Sequence, residues 1–401
     1  MKRLFAILSA IMLLGCESKT VKKDNYLRMA WWGGSERNGQ TAKAAILFEN
    51  ANSGVKIETE AEKRGSYAEK INLLAATGTL PDLVQLSADS LVHWAKAGRL
   101  ADLTPFVQNG ALSVSTMSQN ALNAAGLNGK IFGICVGESV LGVAVNTQIL
   151  AKAGVEVPEK WTWQDFERIA KTVFTQTGAK TNPFWNDASA VFETYVRENG
   201  ARLFAADGSD LGFSGTEEAE AFFSLVLHLS KSLAVLSEDE SDGAFAAGKA
   251  WNEFVWLDEF LEAETGGYAR FLPLPKKTSA AEDGSVLFPS IFFAVPLSAE
   301  NPALAIRALH FFMNDESAQE LFFAHRGVPS MQKARENSKI QSENAIAAAF
   351  FDCPVLESEN QTEREVRTLF NETVQNVLSA SLSAVEGARE FTSKAHIVLG
   401  K

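Results

Sequence analysis

Between Tyr26 and Ser87 the chain switches repeatedly between two hydrophobic periods, and that switching constrains its fold more than any other feature. "YLRMAWW" (26–32) and "PDLVQLS" (81–87) are apolar runs of strand length, and "VKIETEAE" (55–62) alternates apolar and polar as a half-exposed strand does. "GQTAKAAILFENANSG" (39–54) sets Ala44, Ala45, Leu47 and Phe48 on one helical face before a stop at Asn52-Ser53-Gly54. "SYAEKINLLAATG" (66–78) is a second helix closed by Gly78. Strand, helix, strand, helix, strand at these spacings predicts an α/β fold around a mostly parallel sheet.

The rhythm restarts further along. "GKIFGICVG" (129–137) and "SVLGVAVN" (139–146) read as strands around a glycine-rich break at Gly137. "TWQDFERIAKTVF" (162–174) is a helix whose start is marked by Thr162 three residues before Asp165, a capping-box arrangement. "SAENPALAIRALHFFMNDESAQELFFAHRGVPS" (298–330) holds two helices, with Asn301 suited to the N-cap of the first and Pro302 to its first turn. Its phenylalanines Phe311, Phe312, Phe322 and Phe323 are expected in the core. From about Glu363 the chain is amphipathic and helical. At 401 residues, 46% of them hydrophobic, it can build two substantial cores.

The net charge of -12 argues against a nucleic-acid partner, which needs clustered Lys and Arg, and against adhesion to an anionic membrane surface without a covalent anchor. The N-terminus offers such an anchor. Lys2 and Arg3 precede "LFAILSAIMLLG" (4–15), an apolar stretch too short to span a bilayer as a mature helix. It ends at Leu13-Leu14-Gly15-Cys16, which resembles the lipobox of bacterial lipoproteins. The resemblance implies a leader over 1–15, lipid on the Cys16 thiol, and a polar tether over 16–25. An ordinary secretory leader that contains a cysteine is the other reading. Beyond Cys16 only Cys135 and Cys353 remain. They permit a disulfide in an oxidising compartment, but two buried free thiols are the simpler expectation.

Catalytic and metal-binding patterns are missing. "GAFAAGKA" (243–250) mimics a phosphate loop, but Ala250 stands where Ser or Thr would hold magnesium, and the acidic "SEDESD" (237–242) precedes it. A small-residue helix is the expectation there. His93, His228, His310, His325 and His396 are scattered without ligand spacing, so neither a metal nor a cofactor is expected. Acidic pairs such as Asp258-Glu259 and the run Glu238-Asp239-Glu240 have the chemistry for glycoside hydrolysis, but such pairs are common on solvated helix faces. The aromatics are more informative. Trp32, Trp185 and Trp256 lie near turns or strand ends beside Gly, Asn or acidic residues, which suits a pyranose with one apolar face and a hydroxyl rim.

Several segments together resemble the family 1 extracellular solute-binding proteins, the receptors of carbohydrate ABC importers. They run from "LRMAWWGG…AAILFENANSGVKIETE" through "YAEKINLLAATGTLPDLVQL", "WAKAGRLADLTPFV", "NGKIFGICVG", "AGVEVPEKWTWQDF" and "FAAGKAW" to "SAENPALAIRALHFFMNDESAQELFFAHRGVPS". Cys135 replaces the family's usual proline, and Trp251 is unusual in its motif. The resemblance implies a two-lobed periplasmic-binding-protein fold (type II-like), each lobe a mostly parallel sheet flanked by helices. Residues 26–137 plus 289–332 would form one lobe and 138–288 plus 333–401 the other, closing by hinge motion over a ligand cleft. It also implies a monomeric, non-enzymatic receptor outside the cytoplasmic membrane that delivers a sugar or oligosaccharide to a permease. A lipid-anchored glycan-degrading enzyme and a structural surface lipoprotein are the alternatives.

In that picture Trp32 stacks on a sugar with Trp31 in the core, and Gly33 and Gly34 let backbone amides approach hydroxyls. Arg37, Asp89 and Glu138 supply polar contacts, and Trp185, Trp256 and Ser290 complete the site. Trp31-Trp32-Gly33 with Arg37, Pro289-Ser290, and Arg326-Gly327-Val328-Pro329 further resemble the branch that takes up uronate-containing oligosaccharides. There Arg37 would pair with a sugar carboxylate.

Overall fold

The computed structural model describes residues 25–263, 266–356 and 361–400. The opening strand β1 (Tyr26–Trp32) lies parallel to β2 (Lys56–Glu62) in full register, Tyr26 opposite Lys56 and Trp32 opposite Glu62. It also pairs in parallel with β3 (Leu83–Ser87) on its other side. Helix α1 (Ser35–Ala51) joins β1 to β2 and buries Arg37, Thr41, Ala44, Ala45 and Phe48, the stripe a 3.6-residue period places on one face. Helix α2 (Arg64–Thr77) ends at Gly78, whose φ of 70° is the left-handed stop the sequence predicts. Helix α3 (Ala88–Lys96) follows β3 directly, with the Ser87 hydroxyl capping its first turn.

The chain then passes between two sheets three times. In the first crossing β4 (Ile134–Ser139) belongs to the sheet of β1, and β5 (Leu141–Asn146) to another sheet, with Val140 alone between them. The break expected at Gly137 therefore falls three residues later. Gly137 sits inside β4, where a Cβ would collide with the carbonyl of Arg326. After β5 come α4 (Thr147–Ala153), α5 (Trp163–Thr177), α6 (Ala188–Arg197) and α7 (Glu217–Ser232). The Thr162–Asp165 capping box opens α5 as predicted. Strand β6 (Asn252–Trp256), the short helix α8 (Leu257–Glu262) and β7 (Ala269–Pro273) complete this part, β6 and β7 flanking β5 antiparallel.

The second crossing is β8 (Phe288–Ala294), which inserts antiparallel between β3 and β4. Helices α9 (Pro302–Asn314) and α10 (Glu316–Phe322) follow, α9 capped by the Asn301 side chain as predicted. The third crossing leaves β9 (Val328–Pro329) and runs through 332–356 to α11 (Gln361–Leu378) and α12 (Ala384–Val398). The larger sheet has the order β9-β4-β8-β3-β1-β2 and the smaller β6-β5-β7. Pairing is thus mixed in the first sheet and antiparallel in the second, rather than mostly parallel. The strands that return from the far lobe enter against the direction of β3 and β4.

Two apolar cores result, and the first also takes in Ala144 of β5, Phe260 of α8 and Phe271 of β7. The first gathers Trp31, Phe48, Phe292, Phe312 and Phe322, and the second Trp163, Phe192, Phe222, Phe370 and Phe391. Phe192 and Phe370 stack at 4.6 Å between centroids, fastening α11 to α6. Ala334, Ile340, Ala347, Phe350 and Phe351 pack in the first core, where Phe350 also meets Phe271 of β7 edge-on at 5.8 Å. The segment 243–250 is a series of turns, not a helix, because Gly243 and Gly248 both take positive φ. Cys135 and Cys353 are both free thiols. No helix of the described residues is long and apolar enough to cross a membrane. Cys16 and the expected leader over 1–15 lie outside the described residues.

Candidate ligand-binding cleft

The carboxyl ends of β1 and β3 open toward the second lobe, and the loops there build one wall of the cleft between the lobes. Trp31 and Trp32 point to opposite faces of β1. Trp31 is buried and its indole donates to Asn38 Oδ1 at 3.0 Å. Trp32 lies against the Tyr67 ring at 5.4 Å and lines a small cavity of about 90 Å³ with Arg64, Tyr67, Gln85 and Trp94. Trp32 is only 3% exposed, and its Nε1 has no hydrogen-bond partner among the described residues. The Gln85 amide donates to the Trp32 carbonyl at 3.1 Å and holds this strand end in place.

The other expected residues divide sharply. Gly33 and Gly34 admit protein rather than ligand: a Cβ on Gly34 would lie 2.5 Å from the Glu262 carbonyl oxygen, and one on Gly33 would strike the Arg37 side chain. Arg37 is 1% exposed, and its guanidinium is used by protein acceptors. It donates to the carbonyls of His325 (2.8 Å through Nε) and Asp258 (3.0 Å) and pairs with Glu262 at 3.3 Å. It ties α1 to α8 and to the turn at His325, and so is not presented to a ligand carboxylate. Glu138 has no exposed surface and is paired with Arg335 inside the crossing strands. Burial pushes its carboxyl up to about 7 in spite of that guanidinium. Ser290 donates to the Gly137 carbonyl at 3.2 Å. Glu138 and Ser290 therefore join the three crossings to one another.

Asp89 and Trp185 do line cavities, while Trp256 is half-buried against the second core. Asp89 is exposed and lines a cavity of about 480 Å³ together with Lys96, Leu127, Phe288, Pro289 and Arg364, residues drawn from both lobes and the second crossing. Lys96 Nζ donates across this opening to Gln361 Oε1 at 2.8 Å. Trp256 stands edge-on to Phe288 at 4.9 Å, and its indole donates to the Asp187 carboxylate. Trp185 packs on Phe184 at 4.6 Å and lines a second-lobe cavity of about 640 Å³ with Asp187, Glu253 and Phe254.

Four residues of the cleft escaped sequence reasoning: Arg64, Asp187, Glu262 and Phe288. Arg64 stands at the carboxyl end of β2, a position that could have marked it once β2 was recognised as a parallel strand. Asp258 and Glu259 resemble solvated helix acids in sequence, yet Asp258 is 2% exposed and both lie within ion-pair reach of Arg64. Burial, reinforced by Asp258, Asp187 and Glu262, pushes Glu259 up to about 7 against the pull of Arg64.

Two α/β lobes joined by three crossings, with aromatic rings and paired polar groups facing each other between them, define a two-lobed binding protein. The family model described as bacterial extracellular solute-binding protein matches residues 33–319, and the chain belongs to that family. The ABC transporter periplasmic-binding protein YcjN of Escherichia coli (strain K12) is 24% identical over 223 residues, 51% of this chain and 49% of that one. The match therefore spans about half the length of that relative. The GacH receptor of Streptomyces glaucescens, solved unliganded and with acarbose, has a TM-score of 0.72 at 18% identity, covering 93% of this chain and 98% of that one. The periplasmic oligogalacturonide binding protein of Yersinia enterocolitica, solved with saturated digalacturonic acid, has a TM-score of 0.68 at 19% identity, with the same coverage.

Proposed function

We propose that this chain is the solute receptor of an ABC-type importer, holding a sugar or oligosaccharide in the cleft and passing it to a membrane permease without chemical change. The observation that carries the reading is the pairing of Trp256 from the second lobe with Phe288 from the crossing strand, beside the Asp187 carboxylate that accepts from the Trp256 indole, together with the Trp32 ring beneath Arg64 in the first lobe. Indole faces take the C–H face of a pyranose, while carboxylates and amides accept from its hydroxyls. The saccharide ligands named for the Streptomyces and Yersinia structures agree with this chemistry. The lobes would close by rotation about the three crossings, as a monomer held to the membrane by lipid on Cys16.

A uronate-containing ligand is the second reading. Arg37 is already used, so a sugar carboxylate would be received in the cavity beside Asp89, where Lys96 and Arg364 stand. A thermal-shift panel of neutral, uronate and aminated oligosaccharides tests both. A ligand that binds the native state at 100 times its Kd stabilises it by about 2.7 kcal/mol, a rise of several degrees in Tm. Trp32→Ala should remove most of that rise. A panel in which no sugar moves Tm would overturn the receptor reading for saccharides.

A further inference from the structure

Arg64, the first residue of α2, extends from the first lobe over the Trp32 ring, its guanidinium carbon 5.7 Å from the ring centroid. Its Nη1 lies 2.5 Å from Glu259 and 3.9 Å from Asp258, and its backbone N–H bonds the Glu262 carboxylate. Asp187 of the second lobe, whose carboxylate accepts from the Trp256 indole, acts on Glu259 through space and raises it. The place where the lobes meet thus holds four carboxylates. Against them stand Arg37, sealed in and occupied by three carbonyls and Glu262, and Arg64, whose side chain is 42% exposed. Positive charge is in short supply. Asp187, Glu259 and Glu262 are all held above the ordinary carboxylate range, chiefly by burial.

A metal ion does not fit the deficit, because among the described residues no three His, Cys, Asp or Glu side chains approach closely enough to hold one. A flat or tetrahedral organic cation does fit, since the Arg64 guanidinium already occupies the position. Next to it the buried Trp32 Nε1 lacks an acceptor, beside the cavity that Trp32 and Arg64 both line. A buried donor without a protein acceptor needs a water or a ligand oxygen to complete it.

We propose that the cleft selects a saccharide bearing a protonated amine, an amino sugar whose ammonium takes the place of the Arg64 guanidinium beside Glu259 and Asp258. Its ring lies on Trp32, and a hydroxyl oxygen accepts from the Trp32 indole. Arg64, on a flexible and part-exposed side chain, swings outward into solvent as the ligand enters. Ammonium on carboxylate is a charge-assisted bond in a partly desolvated site, so it favours the amine over an isosteric hydroxyl or acetamide.

The inference rests on the receptor reading, and its test separates the two. Titration calorimetry of the full chain at pH 6.5 compares oligosaccharides of β-1,4-linked glucosamine with their N-acetylated, plain glucose and galacturonate counterparts of equal length. The free amine should bind at least about 10-fold tighter than the N-acetylated and glucose forms, with the advantage shrinking between 50 mM and 500 mM salt. Glu259→Gln should bring amine and glucose forms within about 3-fold of each other, and Arg64→Ala should tighten the amine by removing its competitor. Neutral or uronate sugars that bind as tightly as the amine overturn this inference and leave the receptor reading standing. If no saccharide binds, both fall.

Discussion

Glu138 shows how far a single buried carboxylate can set the behaviour of a hinge. Its partner Arg335 also donates to the carbonyls of Pro329 and Phe351, so one guanidinium binds the first crossing to the third. The second carboxylate oxygen of Glu138 has no partner among the described residues, which is why burial outweighs the ion pair. The carboxyl titrates near 7 when folded and near its ordinary 4.5 when unfolded. Between those values the folded chain keeps a proton that the unfolded chain has lost, so stability falls as pH rises from about 4.5 to about 7. Glu138→Gln, which resembles the protonated form, should lessen the fall of Tm with pH between about 5 and 7 and leave the share that Glu259 contributes. Glu138→Ala strands the Arg335 charge and should cost about 3–5 kcal/mol. A Glu138→Gln variant with the wild-type pH slope would show that the titration lies elsewhere. The sequence made Glu138 visible as a polar residue at a crossing. It could not reveal Arg335 as the partner, because that pairing depends on the third crossing returning to the first.

At the scale of elements, what was legible is what is local. The Thr162–Asp165 box, the Asn301 cap and the left-handed Gly78 each depend on a few neighbouring residues, and each is found where the sequence puts it. Strand direction was not legible, since β8 and β9 acquire their neighbours only after excursions through the other lobe. The same distance hid the role of "WWGGSER". Arg37 bonds to residues 221 and 288 positions away, and no local period encodes such partners. Half of that stretch sets Trp32 beside Tyr67 and under Arg64, and the other half packs the loop against α8. Gly34→Ala tests this division, because its Cβ must displace a backbone carbonyl at 2.5 Å. It should destabilise by about 1–3 kcal/mol in chemical denaturation. Gly39→Ala, inside α1 with nothing within 4 Å of its Cβ, should instead stabilise by about 0.4–1 kcal/mol. Equal effects at the two positions would mean that α8 does not press on the loop as described.

For the whole molecule, the division into two cores makes relative lobe motion the natural degree of freedom, with Ser290 on Gly137 and Arg335 on Glu138 holding the crossings together. Solution scattering should give a smaller radius of gyration with saturating ligand than without it, and superimposable curves would sink the hinge description. The two lobes also differ in how they are closed along the chain. Val366, Phe370 and Phe391 fill the second core, yet they follow Trp163 and Phe166 by some two hundred residues. A chain that emerges N-terminus first has exposed the apolar faces of α5, α6 and α7 long before α11 and α12 can cover them. For that interval the second lobe is an unfinished surface open to aggregation, in need of a holding partner or a delay. Loss of the last forty residues would make that vulnerable state permanent.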